Sequence, residues 1–481
     1  MTDKTSNRVA AEKPRGLIDR FGDIAATEQR IVSAAGQVYE QWGFERLDTP
    51  AFEYTEALGK FLPDLDRPNE GVFSFQDDER WLSLRYDLTA PLARFAAEHF
   101  EQLPKPYRRW AAGPVWRNEK PGPGRFREFW QCDADTIGSA SPAADAEMIA
   151  MACAALEAVG LKKREYQLKV SSRRLLDAVL DKVGATEPAT RLTVLRAIDK
   201  FDRLGAQGVL LLLGPGRKDE SGDFTKGAGL SEENAKQVLG FIGAAAKETR
   251  AETLARLTGL LGADSPGVVE LKEIDAALAA MGVGEDQAVF DTSIVRGLEY
   301  YTGAVFEAQF INASGVSFGS IGGGGRYDGL VSRFRGEPVP ATGFSIGVSR
   351  LAATLQARGE GAAVRGPVVV LAMDRARMGD YLALARDLRA AGIRAEVYLG
   401  SSGMKAQMKY ADKRGAPVAV IQGGDELAKG TVTLKDLRLG AEVATSLGED
   451  REAYTKSREQ VQQEVPVAEM ATAVAKMLAR T

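Results

Sequence analysis

The sequence predicts an α+β protein, with an antiparallel sheet that is interrupted by a helical insertion and followed by a small α/β domain. Apolar and polar residues alternate at 72–85, around Arg117 and Phe129, and at 304–310, as they do in antiparallel strands. Residues 182–287 change to Ala, Leu, Glu and Lys at helical spacing, and beyond residue 366 apolar runs alternate with helical segments. A doubly wound dinucleotide fold is not indicated.

The composition is that of an ordinary globular protein. A chain of 481 residues is too long for one compact core, so about two to four domains are expected. Its net charge of −4 gives no whole-molecule attraction for nucleic acid, so any RNA contact must use local basic patches. There is no membrane-length apolar stretch, residues 1–16 have no apolar core of the kind a signal peptide needs, and Cys132 and Cys153 lack disulfide or zinc spacing. A reduced, cytoplasmic setting without a membrane partner is expected.

The single histidine, His99, limits the possible chemistry. With no second imidazole, the sequence argues against a Ser-His-Asp triad, a multi-histidine metal centre or a histidine relay. His99 ends the helical run LTAPLARFAAEHFEQL and is predicted to be a helix-end side chain. Arginines, carboxylates, tyrosines, a bound metal and the substrates themselves remain, which suits reactions that depend on positioning and charge stabilisation.

The first element is a helix over residues 24–42 that ends at Gly43, followed by a segment that becomes extended through Pro50. Periodicity alone fits a plain amphipathic helix before an edge strand equally well.

The segment VWRNEKPGPGRFREFWQ, residues 115–131, is the most informative. In an extended strand Arg117 and Glu119 point to one face, where a guanidinium can bind phosphate and a carboxylate can accept from an exocyclic amine. The PGPG turn should return Arg125 and Arg127 towards the same site. The pattern predicts a nucleotide-binding hairpin; the alternative is a solvated basic hairpin.

The predicted domain boundaries follow changes in residue composition and hydrophobic pattern. The Gly-rich stretch 214–229 is expected to be a flexible loop, and QARGEGAAVRG is expected to be a linker. The proposed segments are a first sheet-bearing part at 1–181, the insertion at 182–287, a second sheet-bearing part at 288–355, the linker at 356–366 and the α/β domain at 367–481.

The last domain reads as strand, helix, strand, helix and strand, from PVVVLAM to PVAVIQG, which predicts a mainly parallel sheet. Lys405, Lys409, Lys413 and Arg414 lie on its second helix. They suit phosphate contacts, and a solvated helix face explains them nearly as well.

Two further features indicate a ligand pocket. The glycine run 322–325 lacks the lysine of a P-loop, and instead suggests that the backbone passes close to a small ligand beside Tyr327. Arg350 lies in GFSIGVSRL at the start of a predicted helix. A guanidinium buried there would be costly without an anion.

Segment 115–131 resembles motif 2 of the class II aminoacyl-tRNA synthetases. Three further segments narrow the resemblance to the histidyl enzymes: LRYDLTAP, VRGLEYYTGAVFE, and GGGGRYDGL followed by GFSIGVSRL. RGLEYYTG is the most specific of them. The matches run over most of the chain, and residues 24–50 resemble motif 1. The resemblance implies a class II synthetase fold, a homodimer, and an anticodon-binding domain at 367–481.

The resemblance also implies an activity, histidine-tRNA ligase, with ATP and Mg²⁺ as cofactors and L-histidine and tRNA(His) as partners. It implies catalytic roles for Arg117 and Arg296, and no protein metal ligand is assigned. The residues that it assigns to ATP are Arg117, Glu119, Arg125 and Arg350. Those that it assigns to histidine are Asp87, Thr89, Gln131, Asp135, Arg296, Tyr300, Tyr301 and Tyr327.

Some positions depart from the family pattern. Ser349 stands where most relatives have glutamate, Trp130 replaces a histidine or tyrosine, and LRYDLT replaces LRPEGT. The sequence therefore leaves open the recognition of the tRNA acceptor end, as well as tRNA identity elements, rates and domain motions.

Three other functions compete with this interpretation. The first is a non-catalytic paralogue that acts as the regulatory subunit of ATP phosphoribosyltransferase, but such paralogues typically lack the C-terminal domain or lose RGLEYY. The second is another class II synthetase, which VRGLEYYTG disfavours. The third is an RNA-binding module without chemistry, which would leave Arg117, Arg296 and Arg350 unexplained.

Overall fold

The computed structural model describes residues 9–58, 71–121, 126–198, 200–218, 222–243, 248–294, 301–311, 317–439 and 461–479. The chain forms two compact units, Met1–Ala362 and Ala363–Thr481. They divide inside the range 356–366, where the sequence predicts a linker, and the finer domain boundaries stay predictions.

The first unit contains helices and strands in alternation. Its helices are α1 Gly22–Gln41, α2 Thr55–Leu58, α3 Thr89–Glu98, α4 Pro142–Val159, α5 Arg173–Lys182, α6 Pro188–Ile198, α7 Phe201–Leu213, α8 Glu232–Gly243, α9 Arg250–Leu261, α10 Pro266–Ala280, α11 Gly329–Arg335 and α12 Val348–Ala357. Its strands are β1 Glu45–Arg46, β2 Phe52–Tyr54, β3 Ser74–Asp77, β4 Arg80–Leu84, β5 Tyr107–Trp116, β6 Glu128–Ile137, β7 Tyr166–Ser172, β8 Gly216–Lys218, β9 Phe224–Lys226, β10 Ala288–Phe290, β11 Ala304–Ile311, β12 Ser317–Arg326 and β13 Ala341–Gly347.

A largely antiparallel sheet organises this unit, as predicted. Its order is β1-β5-β6-β13-β12-β11-β7-β10, and only the edge pairs β1/β5 and β7/β10 are parallel. The alternating run 72–85 does not join it. That run forms β3 and β4 of a separate three-stranded sheet. In this sheet β4 lies in the middle and pairs antiparallel with both β3 and β2, and β2 belongs to the segment that follows α1.

Helices cover one face of the central sheet and leave the other available for a site. Cys132 and Ala134 of β6 pack in the main core with α1, α4 and α12. Because side chains alternate along a strand, Gln131, Asp133 and Asp135 point away from that core. Helix α4 fits against the sheet because its apolar residues are mostly alanine and methionine and most of its length is buried.

The predicted insertion is mainly helical, from α6 to α10. The expected flexible loop at 214–229 is wrong in part, since it contains the antiparallel hairpin β8–β9. Glycine permits the close backbone approach there: a Cβ on Gly216 or Gly227 would overlap backbone atoms of the facing segment. Helix α10, within the same predicted insertion, packs against α4 and α5.

The second unit contains α13 Met378–Ala390, α14 Met404–Lys413, α15 Gly424–Lys429 and α16 Met470–Leu478, with strands β14 Val368–Val370, β15 Ala395–Val397, β16 Val418–Ile421, β17 Thr431–Asp436 and β18 Gln462–Pro466. The sheet order is β15-β14-β16-β17-β18. The first three strands are parallel, but β17 and β18 pair antiparallel, so the predicted mainly parallel sheet is mixed. The connection from β16 to β17 is too short for a parallel crossover. Throughout the described ranges, no helix is long and apolar enough to cross a membrane.

Candidate active site

A cavity of about 900 Å³ lies over the open face of the central sheet. Its walls come from distant parts of the first unit: the turn after β4, the end of β5, strands β6, β7 and β11–β13, the start of α12, and the α6–α7 junction of the predicted insertion. The sequence halves on either side of the insertion therefore meet at one site.

Glycines make part of this cavity. Gly322, Gly323 and Gly324 of β12 and Gly343 of β13 all line it. A Cβ on Gly343 would overlap Oδ1 of Asp135, and one on Gly324 would overlap the carbonyl oxygen of Gly343. Without side chains, the glycine run lets neighbouring backbones pack closely and leaves the cavity floor open. This fits the prediction that the backbone passes close to a ligand, and it does not fit a P-loop.

Arg117 and Glu119 both line the cavity, whereas Trp116 and Asn118 do not. This is the alternation that the sequence predicts for an extended segment. Arg117 Nε donates to the Tyr86 carbonyl at 3.3 Å, and its guanidinium lies 5.0 Å from the Phe129 ring centroid. These contacts hold a permanent positive charge at the cavity wall.

Arg350 reaches the same cavity from α12. The expectation of a buried guanidinium is wrong: Arg350 is exposed, while Val348, Ser349 and Leu351 around it are buried. Helical spacing turns the third residue of α12 outward from the core. Arg350 Nη1 donates to the Ser320 carbonyl at 2.8 Å, which fixes the side chain beside β12.

Asp135 is held in a buried polar cluster. The Tyr327 hydroxyl donates to Asp135 Oδ1 at 2.5 Å, and Arg109 Nη2 lies 3.0 Å from Oδ2. Burial raises the pKa of Asp135, while Arg109 and the Tyr327 hydrogen bond oppose that rise. Burial and the neighbouring Asp135 likewise raise the pKa of Tyr327, so its hydroxyl remains a donor.

Asp87 and Thr89 border the cavity where α3 begins. Asp87 Oδ1 accepts from the amides of Thr89 at 3.2 Å and Ala90 at 2.9 Å, and so caps the helix. Its Oδ2 is buried and has no hydrogen-bond partner within the described chain. Burial raises the pKa of Asp87, partly offset by the Ala90 hydrogen bond and by Arg117. Asp87 can therefore cap α3 through one oxygen and keep the other for a ligand.

Gln131 and Tyr301 complete the predicted set that the structure describes, and both line the cavity. Gln131 Nε2 donates to Ser345 Oγ at 2.7 Å across the β6–β13 pair. Arg125, Arg296 and Tyr300 lie outside the described residues, so their predicted places remain predictions.

Arg127 is not part of the cavity wall, contrary to the expectation for the returning strand. Its backbone amide donates to the Gly16 carbonyl, and its guanidinium contacts the Asn118 side chain, the Arg15 carbonyl and the face of Phe73. The N-terminal segment that precedes α1 binds this arginine, and sequence spacing gave no sign of that contact.

Ser349 joins α12 to β6 and α1. Its Oγ accepts from the Trp130 amide at 3.0 Å, and its hydroxyl donates to Glu28 Oε1 at 2.5 Å. Arg20 Nε also donates to Glu28, at 3.3 Å. The Glu28 carboxylate of α1 is therefore hydrogen-bonded directly to α12 through Ser349.

Several cavity residues were missed from sequence. Asp133, Lys169, Lys200 and Glu307 line the cavity, and Arg109 lies behind Asp135. Burial raises the pKa of Asp133 to about 8, although Arg109 opposes the rise. The period of two from Gln131 through Asp133 to Asp135 was the available signal. The described part of the chain holds no group of three or more candidate metal ligands.

The cavity combines two kinds of group. Arg117 and Arg350 offer fixed positive charges to an anionic ligand, and buried Asp87 and Asp135 offer acceptors to a ligand that carries N–H donors. A site of this kind can bind a phosphate-bearing molecule together with a small cationic or N–H-rich one, and can stabilise charge that moves between them.

Comparisons with known proteins agree with this geometry. A family model described as histidyl-tRNA synthetase matches residues 16–351, and one described as anticodon binding domain matches residues 367–477. A histidine–tRNA ligase of Caulobacter vibrioides is 58% identical over 98% of both chains. One of Cereibacter sphaeroides is 56% identical over 99% of both. Among solved structures, a histidyl-tRNA synthetase from a Nostoc species aligns with a TM-score of 0.74 at 27% identity, over 98% of this chain and 100% of that one.

Proposed function

Because this chain belongs to the histidyl-tRNA synthetase family, and is thus a class II ligase that joins L-histidine to tRNA(His) at the expense of ATP, we propose that the cavity described above is its reaction centre. The observation that carries the proposal is that Arg117 and Arg350, from opposite sides of the predicted insertion, line one cavity together with Asp135. The full-length identities also favour the catalytic enzyme over the regulatory paralogue.

The reaction has two steps. A carboxylate oxygen of histidine attacks the α-phosphorus of ATP, the bond to pyrophosphate breaks, and histidyl-adenylate forms. The terminal ribose hydroxyl of the tRNA then attacks the adenylate carbonyl, and AMP leaves. Both steps move negative charge onto phosphate oxygens, so fixed cations contribute most of what the protein can supply.

The cationic side chains are proposed to bind ATP. Arg117 holds the α-phosphate and the substrate carboxylate, and Arg350 binds the γ-phosphate and lies beside the adenine. Glu119, two residues beyond Arg117 and on the same wall, accepts from the adenine amine. Arg125 and Arg296, outside the described residues, are proposed for ATP and for the α-phosphate with histidine, respectively.

The buried acceptors are proposed to select histidine. Asp135 and Tyr301 bind the imidazole beside Tyr327, and Asp87 and Thr89 bind the α-amino group. Gln131 and Tyr300 complete the pocket. Support comes from the burial of Asp135 and Asp87, because a site whose buried polar groups need a partner rejects analogues that lack it. Discrimination of this kind can reach about 10⁴-fold or more without editing.

Mg²⁺ is proposed to enter with ATP. This ion keeps several water and phosphate ligands and needs only one or two carboxylates from the protein, and Glu307, which has no proposed role in binding ATP or histidine, is a carboxylate that lines the cavity. When bound, the ion neutralises phosphate charge. The arginines and carboxylates of the chain position the reacting groups.

A homodimer is also proposed. Phe52 and Tyr54 of β2 and Phe75 of β3 lie on one face of the three-stranded sheet and are exposed by 49, 43 and 42%. Contiguous exposed aromatic side chains are typical of a protein interface. The second unit is proposed to bind the anticodon of tRNA(His), and the enzyme is proposed to act in the cytoplasm, where charged tRNA is used.

The test is histidine-dependent exchange of pyrophosphate into ATP, followed by charging of purified tRNA(His). We expect both activities, and we expect Arg296→Ala to lower exchange by roughly 100- to 1,000-fold without affecting dimerisation. Unchanged exchange in that variant would remove Arg296 from the site. Histidine binding without exchange in the unaltered protein would instead support the regulatory paralogue.

A further inference from the structure

Three buried side-chain acceptor atoms, on residues that line the cavity, have no hydrogen-bond or ion-pair partner in the described part of the chain. They are Asp87 Oδ2, Gln131 Oε1 and Asp133 Oδ1, and their residues are 4, 8 and 2% exposed. Leaving a buried acceptor without a partner is costly, so such a set indicates a ligand that donates to it.

The register of β6 and β13 explains the orientation of Gln131. Asp133 lies directly opposite Ser345, and Gln131 lies opposite Gly347. The Ser345 oxygen accepts from Gln131 Nε2 at 2.7 Å, and the Ser345 hydroxyl lies close enough to the Asp133 carboxyl to oppose the rise in its pKa. Since the hydroxyl already accepts from the amide, its own proton is directed to the carboxylate.

This chain of hydrogen bonds has a direction. Ser345 accepts from the Gln131 NH₂ group and faces Asp133 across the strand pair, and the Gln131 oxygen is left buried without a partner. A flipped amide would compete with Asp133 for the single hydroxyl proton. The carboxylate therefore fixes which end of the amide the substrate meets.

The set matches an ammonium group better than an imidazole. An ammonium carries three N–H donors and a positive charge, and the set offers three acceptors, two of them on carboxyl groups. A neutral imidazole has one N–H donor, and the Asp135–Tyr327 pair already offers an acceptor elsewhere in the same cavity.

We propose that Asp133 is an additional determinant of histidine binding, with Oδ1 facing the substrate ammonium and the rest of the carboxyl group orienting Gln131 through Ser345. The inference rests on the proposed histidine site and adds to it a residue that the motif resemblance does not assign. Asp133 contacts the substrate, whereas Ser345 acts through Gln131 and is a positioning residue.

The proposal predicts that histidine binding is coupled to the release of a proton from Asp133. The titratable and charged groups that act on Asp133 are Arg109 on β5, Asp135 on β6, Asp87 before α3, Arg85 after β4, Tyr39 on α1 and the adjacent Cys132. Without substrate, the pKa of Asp133 is raised to about 8. A bound ammonium lowers it, so histidine binding near pH 7 should release up to about one proton, and affinity should rise with pH towards 8.

The experiment measures histidine binding to the full-length enzyme by calorimetry, in two buffers of different ionisation enthalpy. Asp133→Asn should weaken histidine roughly 10- to 100-fold and abolish most of the proton release. Ser345→Ala should weaken histidine binding by about 3- to 10-fold. In the variant that carries both substitutions, the loss of affinity should be smaller than the product of the two single losses. Ser171→Ala, a buried serine on β7 that does not line the cavity, is the matched control and should bind as the unaltered enzyme does.

Two analogues separate binding from packing. The Asp133→Asn loss should persist with histidinol, which keeps the ammonium, and vanish with 3-(imidazol-4-yl)propionate, which lacks it. Equal losses with both analogues, or unaltered affinity and proton release in Asp133→Asn, would overturn the inference. If Asp133→Asn does not fold, the Ser345→Ala comparison with the same analogues decides. Absence of histidine-dependent exchange in the unaltered enzyme would instead refute the proposed function itself.

Discussion

Gly343→Ala tests how the sheet backbone shapes the proposed histidine pocket. Gly343 lies opposite Asp135 in the β6–β13 register, and a Cβ there would overlap Asp135 Oδ1 and approach the Ala134 carbonyl to 2.9 Å. Asp135 must therefore leave its present rotamer or β13 must move. Gly347→Ala on the same strand is the matched comparison, because its Cβ comes no closer than 3.4 Å to Ile321 O.

The magnitude follows from the contacts that are lost. Moving Asp135 breaks the 2.5 Å hydrogen bond from Tyr327 and disturbs the 3.0 Å contact with Arg109, inside a pocket where Asp135 is 2% exposed. A buried hydrogen bond to a charged group is worth about 1.5–3 kcal/mol, and overpacking costs about 1–3 kcal/mol more. The free energy of unfolding should therefore fall by roughly 2.5–6 kcal/mol. If Asp135 binds the imidazole, the KM for histidine should rise roughly 10- to 150-fold.

Pyrophosphate exchange at varied histidine and varied ATP separates the two effects, and denaturant unfolding reports stability. We expect the KM for histidine to rise far more than the KM for ATP, and Gly347→Ala to change both much less. A Gly343→Ala enzyme with an unaltered KM for histidine would show that the Asp135 position does not determine histidine binding. Equal increases in both KM values would point to general distortion of the sheet.

Three further predictions concern the cations, the interface and pH. Arg117→Ala should lower exchange by roughly 100- to 1,000-fold, whereas Arg127→Ala, off the cavity wall, should have a much smaller effect on the exchange rate. Phe52→Asp should shift the proposed dimer towards monomer in light scattering, while Phe224→Asp, at a phenylalanine that is also exposed but lies on the β8–β9 hairpin, should not. Because burial raises the pKa of Asp133 to about 8, its ionisation opposes folding as pH rises from about 4 to 8, so Asp133→Asn should stabilise the protein more at pH 8.5 than at pH 5 in denaturant unfolding.

Each of these predictions has a clear contrary result. Equal loss of exchange in the Arg117 and Arg127 variants would mean that the hairpin, and not the cavity arginine, carries the effect. A stable dimer in Phe52→Asp would place the interface elsewhere. A stability gain in Asp133→Asn that does not change with pH would mean that its carboxyl group has the same pKa in the folded and unfolded chain.

Much of the site could be predicted because it depends on short-range rules. The placement of Arg117 and Glu119 on one wall follows from strand alternation, and the glycine run indicated a close backbone approach before its partner was known. His99 ends α3 as predicted, with Nδ1 3.2 Å from Gln102 Oε1. These features need only local geometry and a few neighbouring residues.

The errors have tertiary causes. Arg127 is bound by the segment before α1, Arg350 is exposed because the core lies against the other side of α12, and the 214–229 stretch pairs with itself through its glycines. Asp133 escaped notice because an aspartate in a strand has no special signal until its neighbours are known. Its raised pKa comes from burial beneath the cavity, and only the folded chain creates that burial.

The sequence by itself determined the order of elements, the positions of the cationic side chains along the chain and the family motifs, since propensity, alternation and motif spacing are properties of neighbouring residues. Only the tertiary structure decided which side chains share a cavity, which acceptors are left without partners, and that Ser345 stands across from Asp133. Those relations depend on the register of strands that are far apart in the chain, and register is set by the packing of the whole sheet.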